Sequence, residues 1–334
     1  MNEKHLNGLT ATRGFAALMI VIFHFGLNVF PFSELQPFFA KGNMAVSYFF
    51  TLSGFIMCYT YFNQQILYVD FVKRRLARIG PLYWLAILLS IPIALQETGL
   101  TMKLILNLFF LQAYFPGFTL SVNSPGWSLS VEFCFYLLFP FLLWLYKINQ
   151  RRFVFGSVLF FVLSQTIHLF LVDRNISGDM WWHELIYYNP IGHLNAFVLG
   201  MTGCYFMNLI VARNINLHVL GVLVLIILSL LYLPYSKHNG LLSPLFLLLI
   251  IGIAVKSKTV LNARPLVWLG EISYGIYILQ MPVNYFTAKL NAKYFHLEGG
   301  AFFWFFFVVL IIVSTICYTY LEQPLRRKIN GLNI

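Results

Sequence analysis

Along this chain, long apolar runs alternate with short polar breaks. Runs of bilayer length lie at roughly 10–30, 44–62, 81–97, 128–147, 152–172, 187–208, 217–234, 240–256, 265–287 and 301–321. Each is predicted to be a helix. About 20 apolar residues rising 1.5 Å each cross a hydrocarbon core of about 30 Å. In lipid such a segment must satisfy its backbone polar groups within itself. A further stretch, 103–121, is short and leads into Pro116, Gly117 and Asn123-Ser124-Pro125-Gly126. It reads as an eleventh span or as a re-entrant piece. No internal repeat or low-complexity tract is visible, and 1–334 is expected to form a single membrane domain.

Composition removes the alternatives to a membrane protein. Of 334 residues, 60% are apolar and 10% charged, against about 45–50% and 25% in soluble domains. Mean hydropathy is +0.77. Too few charged side chains exist to cover a water-facing surface. The first apolar run is interrupted by His24 and lacks a small-x-small exit, so it is expected to stay as a permanent span rather than be cleaved. Cys58, Cys134, Cys204 and Cys317 each stand alone in apolar sequence and read as small buried hydrophobes.

The net charge of +11 changes the picture only through its distribution. No soluble basic domain exists to grip nucleic acid, and no nucleic-acid partner is expected. With the N-terminus in the cytoplasm and 103–121 returning to its starting side, sixteen of the 22 Lys and Arg fall inside, among them Lys73–Arg78 and Lys147–Arg152. A full crossing by 103–121 would reverse every later loop and cut that number to about half. The positive-inside rule therefore favours the first arrangement. The expected fold is an all-α polytopic membrane protein of about ten transmembrane helices plus a short re-entrant segment. Both termini are cytoplasmic and the chain is multi-pass in the cytoplasmic (inner) membrane.

Ionisable groups inside spans are costly and are candidates for function. Arg13 and His24 are eleven residues apart, three helical turns plus about 20°, so they share one face about 16 Å apart along the axis. His24 falls near mid-membrane. It is open to two readings: a hydrogen-bonded packing residue, or a proton acceptor. Arg75 and Arg78 are i,i+3 neighbours in Lys73-Arg-Arg-Leu-Ala-Arg78. Paired guanidinium groups match phosphate oxygens, yet by the residues alone the cluster reads more readily as a topology signal or a contact for anionic membrane lipid. Glu132 lies about 9 Å below the helix start at Ser124-Pro125, which brings it within a turn of the depth of His24. It either orients and charge-stabilises His24 or is a carboxylate paired elsewhere. The remaining histidines (His5, His168, His183, His193, His218, His238, His296) sit in loops or single spans and carry no expected role.

Taken together and in order, these pieces resemble the acyltransferase-3 family of integral membrane acyltransferases, over nearly the whole chain. The similarity rests on Arg13-x10-His24, Ser47-Tyr-Phe-Phe-Thr-Leu-Ser53-Gly54-Phe, Arg75-Leu-Ala-Arg78 with Pro81-Leu-Tyr83-Trp84, and Trp127-Ser-Leu-Ser-Val-Glu132-Phe-x-x-Tyr136. It continues in Leu269-Gly270-Glu-Ile-Ser273-Tyr274-Gly-Ile-Tyr277 and Tyr320-Leu-Glu322-Gln-Pro324. Family members often carry His where this chain has Gln280, and glutamine is no base. More of the chemistry would then fall on His24. Some relatives also carry an extracytoplasmic esterase-like domain, which is not seen here.

The resemblance implies transfer of an acyl group, acetyl in the first instance, from cytoplasmic acyl-CoA to a hydroxyl of a surface glycan or a lipid-linked sugar. His24, Glu132 and Arg13 would be catalytic. Arg75, Arg78 and Arg13 would bind acyl-CoA, a co-substrate rather than a resident cofactor. Trp127, Ser128, Tyr274 and Gln280 would lie on the acceptor side. No metal-ligand cluster is visible, and acyl transfer from a thioester requires none. His24 would act as general base or carry the acyl group itself. Two rivals are weighed against this reading. A transporter or flippase also uses intramembrane Arg, His and Glu, and a purely structural subunit leaves those groups unexplained.

Overall fold

The computed structural model describes residues 7–95, 98–173, 179–213, 215, 218–232, 240–256 and 259–331. Lys4, His5, Arg174, Lys237, His238 and Lys258, used or named above, lie outside the described residues. Among the described residues all regular structure is helical, with no strand.

In chain order the helices are α1 (Asn7–Phe25), α2 (Ala45–Tyr61), α3 (Tyr68–Ala94), α4 (Leu100–Leu108), α5 (Trp127–Ile148), α6 (Gln150–Asp173), α7 (Met180–Tyr188) and α8 (Pro190–Met201). There follow α9 (Gly203–Ala212), α10 (Val219–Tyr232), α11 (Ser243–Val255), α12 (Arg264–Glu271), α13 (Ser273–Leu290), α14 (Gly299–Cys317) and α15 (Gln323–Gly331). Every predicted apolar run overlies at least one of them. Seven helical stretches among the described residues are long and apolar enough to cross a membrane. The chain is a multi-pass membrane protein.

The differences from the predicted runs have local causes. α10 and α11 have only 14 and 13 residues, or about 20 Å each. The run at 265–287 breaks at Ile272 into α12 and α13. The run at 187–208 is carried by α7, α8 and α9, which follow one another closely. Asp179 caps α7 through the Trp181 amide. Asn189 caps α8 through the Ile191 amide, with Pro190 in the first turn.

Segment 103–121 forms no long helix. α4 has nine residues, about 13.5 Å, less than half of a bilayer core. Beyond it the chain doubles back through short turns. Asn107 Nδ2 donates to Ser121 Oγ at 3.0 Å, and Gln112 Nε2 donates to the Gly126 carbonyl at 2.8 Å. The Tyr83 hydroxyl of α3 donates to the Asn107 carbonyl at 3.0 Å. These bonds satisfy non-helical backbone inside the protein, the condition on which such backbone is tolerated at membrane depth.

Packing is closest where glycines meet backbone. α2 lies against α8, and α1 against α12. A Cβ at Gly54 would lie 2.0 Å from the Phe197 carbonyl oxygen, and one at Gly200 would lie 2.1 Å from that of Thr51. A Cβ at Gly270 would lie 1.8 Å from the Thr10 carbonyl. Small residues permit such approach between membrane helices. α1, α2, α3, α5 and α13 surround the polar interior described next.

Candidate active site

Two internal chambers lie among these helices. The larger, about 630 Å³, is lined by Arg13 of α1, Arg74, Arg75 and Arg78 of α3, Glu132 of α5 and Glu271 of α12. The second, about 390 Å³, is lined by His24 of α1, Trp127 of α5, and His183, Tyr187 and Tyr188 of α7. Val46 and Tyr277 line both and form the shared wall.

The arginine chamber is built on two helix faces. In α3, Arg75 and Arg78 are one turn apart and face inward together. In α5, Ser128, Glu132 and Tyr136 repeat at i,i+4 and all line the chamber. The Tyr136 hydroxyl donates to Glu132 Oε1. Arg75 Nη2 donates to the Tyr61 hydroxyl at 2.5 Å. Its guanidinium lies over the rings of Tyr61, Phe71 and Tyr136, 5.3, 5.5 and 5.9 Å from their centroids, within cation–π range. Arg75 Nε is buried without a hydrogen-bond partner. Four arginines face two glutamates here, so the chamber favours a polyanion.

The histidine chamber has a different character. His24 is exposed to it, and its Nδ1 lies 2.8 Å from Gln280 Oε1. Gln280 is fully buried, and its Nε2 donates to the Tyr277 carbonyl at 2.7 Å. That carbonyl can only accept, so the amide NH₂ faces it and the amide oxygen faces His24. Nδ1 must then carry the proton, and Nε2 keeps the lone pair. The network, rather than an observed hydrogen, makes this assignment. The wall residue Tyr277 continues the chain: its hydroxyl lies 2.8 Å from Ser128 Oγ and 3.1 Å from the Pro125 carbonyl. Polar contacts therefore run from Ser128 in the first chamber, through Tyr277 and Gln280, to His24 in the second.

Set against the sequence reading, Arg13, Arg75, Arg78 and Glu132 come together, while His24 opens on the other chamber. The depth match placed Glu132 opposite His24. In the structure Glu132 is held by Tyr136, and His24 by Gln280. Equal depth does not fix azimuth, and the i,i+4 face of α5 turns Glu132 toward the arginines. Ser128 and Tyr274, expected on the acceptor side, line the arginine chamber. Trp127 lines the histidine chamber and Gln280 stands behind His24. Neighbouring residues of a helix point about 100° apart, so Trp127 and Ser128 serve different chambers.

Several lining residues were assigned no role. Tyr136 stands one turn from Glu132 on the same helix, at i,i+4, whereas Tyr61 ends α2 and meets Arg75 of α3 only through packing. Tyr277 lies one turn before Gln280. His183 and His193, assigned no role, both line the second chamber. His193 Nε2 donates to the Tyr187 carbonyl at 2.9 Å, and its ring lies 5.1 Å from Trp127. No local sequence signal marks either. The turn that follows 103–121 also reaches the site: Asn123 Nδ2 donates to the Ile278 carbonyl at 3.0 Å, two residues from Gln280.

A polytopic helical protein that gathers four arginines and two glutamates in one chamber and sets a histidine in the next belongs to the membrane proteins that keep a polar site between their helices. The comparisons with known proteins agree with that class. A family model described as an acyltransferase domain matches residues 6–321, and the chain belongs to the acyltransferase-3 family. O-acetyltransferase OatA of Staphylococcus aureus is 24% identical over 367 residues, covering 98% of this chain and 58% of the relative. The chain thus spans about three fifths of that protein's length. The exopolysaccharide production protein ExoZ of Rhizobium meliloti is 30% identical over 307 residues, covering 87% of this chain and 91% of its own. Acyltransferase MdmB of Streptomyces mycarofaciens is 34% identical over 165 residues, covering 44% and 42%. No solved structure matches the chain.

Proposed function

We propose that this chain moves an acyl group, acetyl in the first instance, from acyl-CoA to a hydroxyl of an extracytoplasmic or lipid-linked glycan. The observation that carries the reading is the bond of His24 Nδ1 to buried Gln280, which leaves Nε2 with the lone pair, beside an arginine-lined chamber. Family membership and the O-acetyltransferase and exopolysaccharide-production relatives support it.

In this mechanism the phosphates of coenzyme A stay among Arg13, Arg74, Arg75 and Arg78. The thin pantetheine arm carries the thioester past Val46 and Tyr277 toward His24. His24 Nε2 takes the proton of the acceptor hydroxyl as its oxygen attacks the thioester carbonyl. The carbon–sulfur bond breaks, and the thiolate takes the proton back from the imidazolium. A route through an acyl-imidazole uses the same nitrogen.

The topology that fits this flow has about ten crossings, both ends in the cytoplasm, 103–121 as a re-entrant piece, and the arginine chamber opening inward in the cytoplasmic membrane. The charge distribution supports that orientation. The test is purified protein with labelled acyl-CoA and a glycan acceptor, with no membrane gradient. Ester on the glycan that disappears in His24→Ala, while acyl-CoA binding persists, is the expected result. No thioester cleavage under these conditions would return the chain to the transporter reading.

A further inference from the structure

We propose that the histidine chamber is the acceptor subsite and that it selects an uncharged sugar residue over an anionic one. The proposal rests on the acyl-transfer reading for its chemistry, and its selectivity rests on the lining alone.

The two chambers differ in charge. Four arginines and two glutamates line the first, whereas no described residue lining the second is Asp, Glu, Lys or Arg. The carboxylate on α7, Glu184, is turned away, accepting the Gly117 amide at 2.8 Å. A carboxylate or phosphate brought into the second chamber would lose hydration and find no lysine or arginine among the described lining residues, only the imidazoles of His24, His183 and His193. A neutral hydroxyl loses far less.

The lining also matches a sugar in kind. A pyranose has an apolar C–H face and a rim of hydroxyls. Trp127, Tyr187 and Tyr188 supply aromatic surface on one side of the chamber. Trp127 and Tyr188 meet edge to face at 4.9 Å, which fixes both rings. Aromatic faces carry negative charge density that attracts C–H dipoles. Asn43, Ser47 and Ser124 supply uncharged donors and acceptors for a hydroxyl rim. His24 Nε2, bearing only a lone pair, takes the hydroxyl that reacts. A few convergent polar groups on an aromatic wall are the usual composition of a small-molecule site.

The test uses the purified full chain without acyl-CoA, so that binding is read apart from transfer. Saturation-transfer NMR compares a neutral methyl hexopyranoside with the matching methyl hexuronide, which differ only at C6. The neutral glycoside is expected to bind at least tenfold more tightly at pH 7. Tyr188→Ala should abolish its signal and Tyr188→Phe retain it, because the ring and not its hydroxyl makes the contact. Asn43→Lys, at an exposed position on the rim, should restore the hexuronide. Equal or tighter binding of the hexuronide to the wild-type chain, no binding of either, or unchanged binding in Tyr188→Ala would each overturn the proposal. Neutral-sugar binding without any ester formed once acyl-CoA is added would sink the acyl-transfer reading and leave the selectivity standing.

Discussion

His24 Nδ1 lies 2.8 Å from Gln280 Oε1, and this one bond decides which nitrogen of the imidazole keeps its lone pair. Gln280 is oriented in turn by the Tyr277 carbonyl. Gln280→Leu removes the acceptor, strands Nδ1–H, and lets the ring sample the wrong tautomer. Loss of an outer partner that sets a histidine in this way typically costs about 10–100-fold. The expected outcome is a fall of that size in kcat with donor KM unchanged, and recovery of most of the rate in Gln280→Glu, which keeps an oxygen facing His24. Steady-state kinetics on the two variants decides it. Wild-type kcat in Gln280→Leu would remove Gln280 from the mechanism.

Arg75 combines charge with a rigid seat against three aromatic rings. Arg75→Ala is expected to raise the KM for acyl-CoA about tenfold or more, and Arg78→Ala to act in the same direction. Lysine at position 75 should rescue only part, because it keeps the charge and loses the planar fork. Tyr61→Phe, which removes the partner of Arg75 Nη2, should give a smaller rise. Unchanged donor affinity in both alanine variants would make the pair a topology signal.

Tyr277 is a wall between the arginine chamber and the histidine chamber, pinned by Ser128 and Pro125. Tyr277→Ala should open the partition to water. The measurement is free coenzyme A released without any acceptor, expected to rise several-fold over wild type. Tyr277→Phe, which keeps the ring, should stay near wild type. A silent Tyr277→Ala would show that the ring is not the barrier.

The contact of α2 with α8 leaves no room for a side chain at Gly54. Gly54→Ala puts a methyl group 2.0 Å from a carbonyl oxygen, so the helices must part. Overpacking of this kind costs about 1–3 kcal/mol. A lower midpoint of thermal unfolding in detergent is expected. Gly156, where an added Cβ meets nothing within 4 Å, serves as the control.

The proposed orientation places the turn at Asn149, between α5 and α6, in the cytoplasm. A cysteine introduced there should stay unlabelled by an impermeant thiol reagent in intact cells and react after permeabilisation. Labelling from outside would reverse the orientation and imply a full crossing by 103–121.

Much of this protein was legible in its residues. Apolar runs give the helices, because lipid leaves the backbone almost no other choice. The costly groups Arg13, His24, Arg75, Arg78 and Glu132 stand out for the same reason. The shortness of 103–121 was visible too, from its prolines and glycines. What could not be read was azimuth between helices. Spacing along one helix says which of its residues share a face. It does not say which neighbouring helix that face meets, since one apolar helix surface looks much like another in sequence. Glu132 therefore seemed to belong with His24, and Ser128 with Trp127. Only the packing of α1, α5 and α13, set by close glycine contacts and buried polar bonds, put Gln280 behind His24, gave Glu132 to the arginines, and divided the interior into a chamber lined by arginines and another that holds His24.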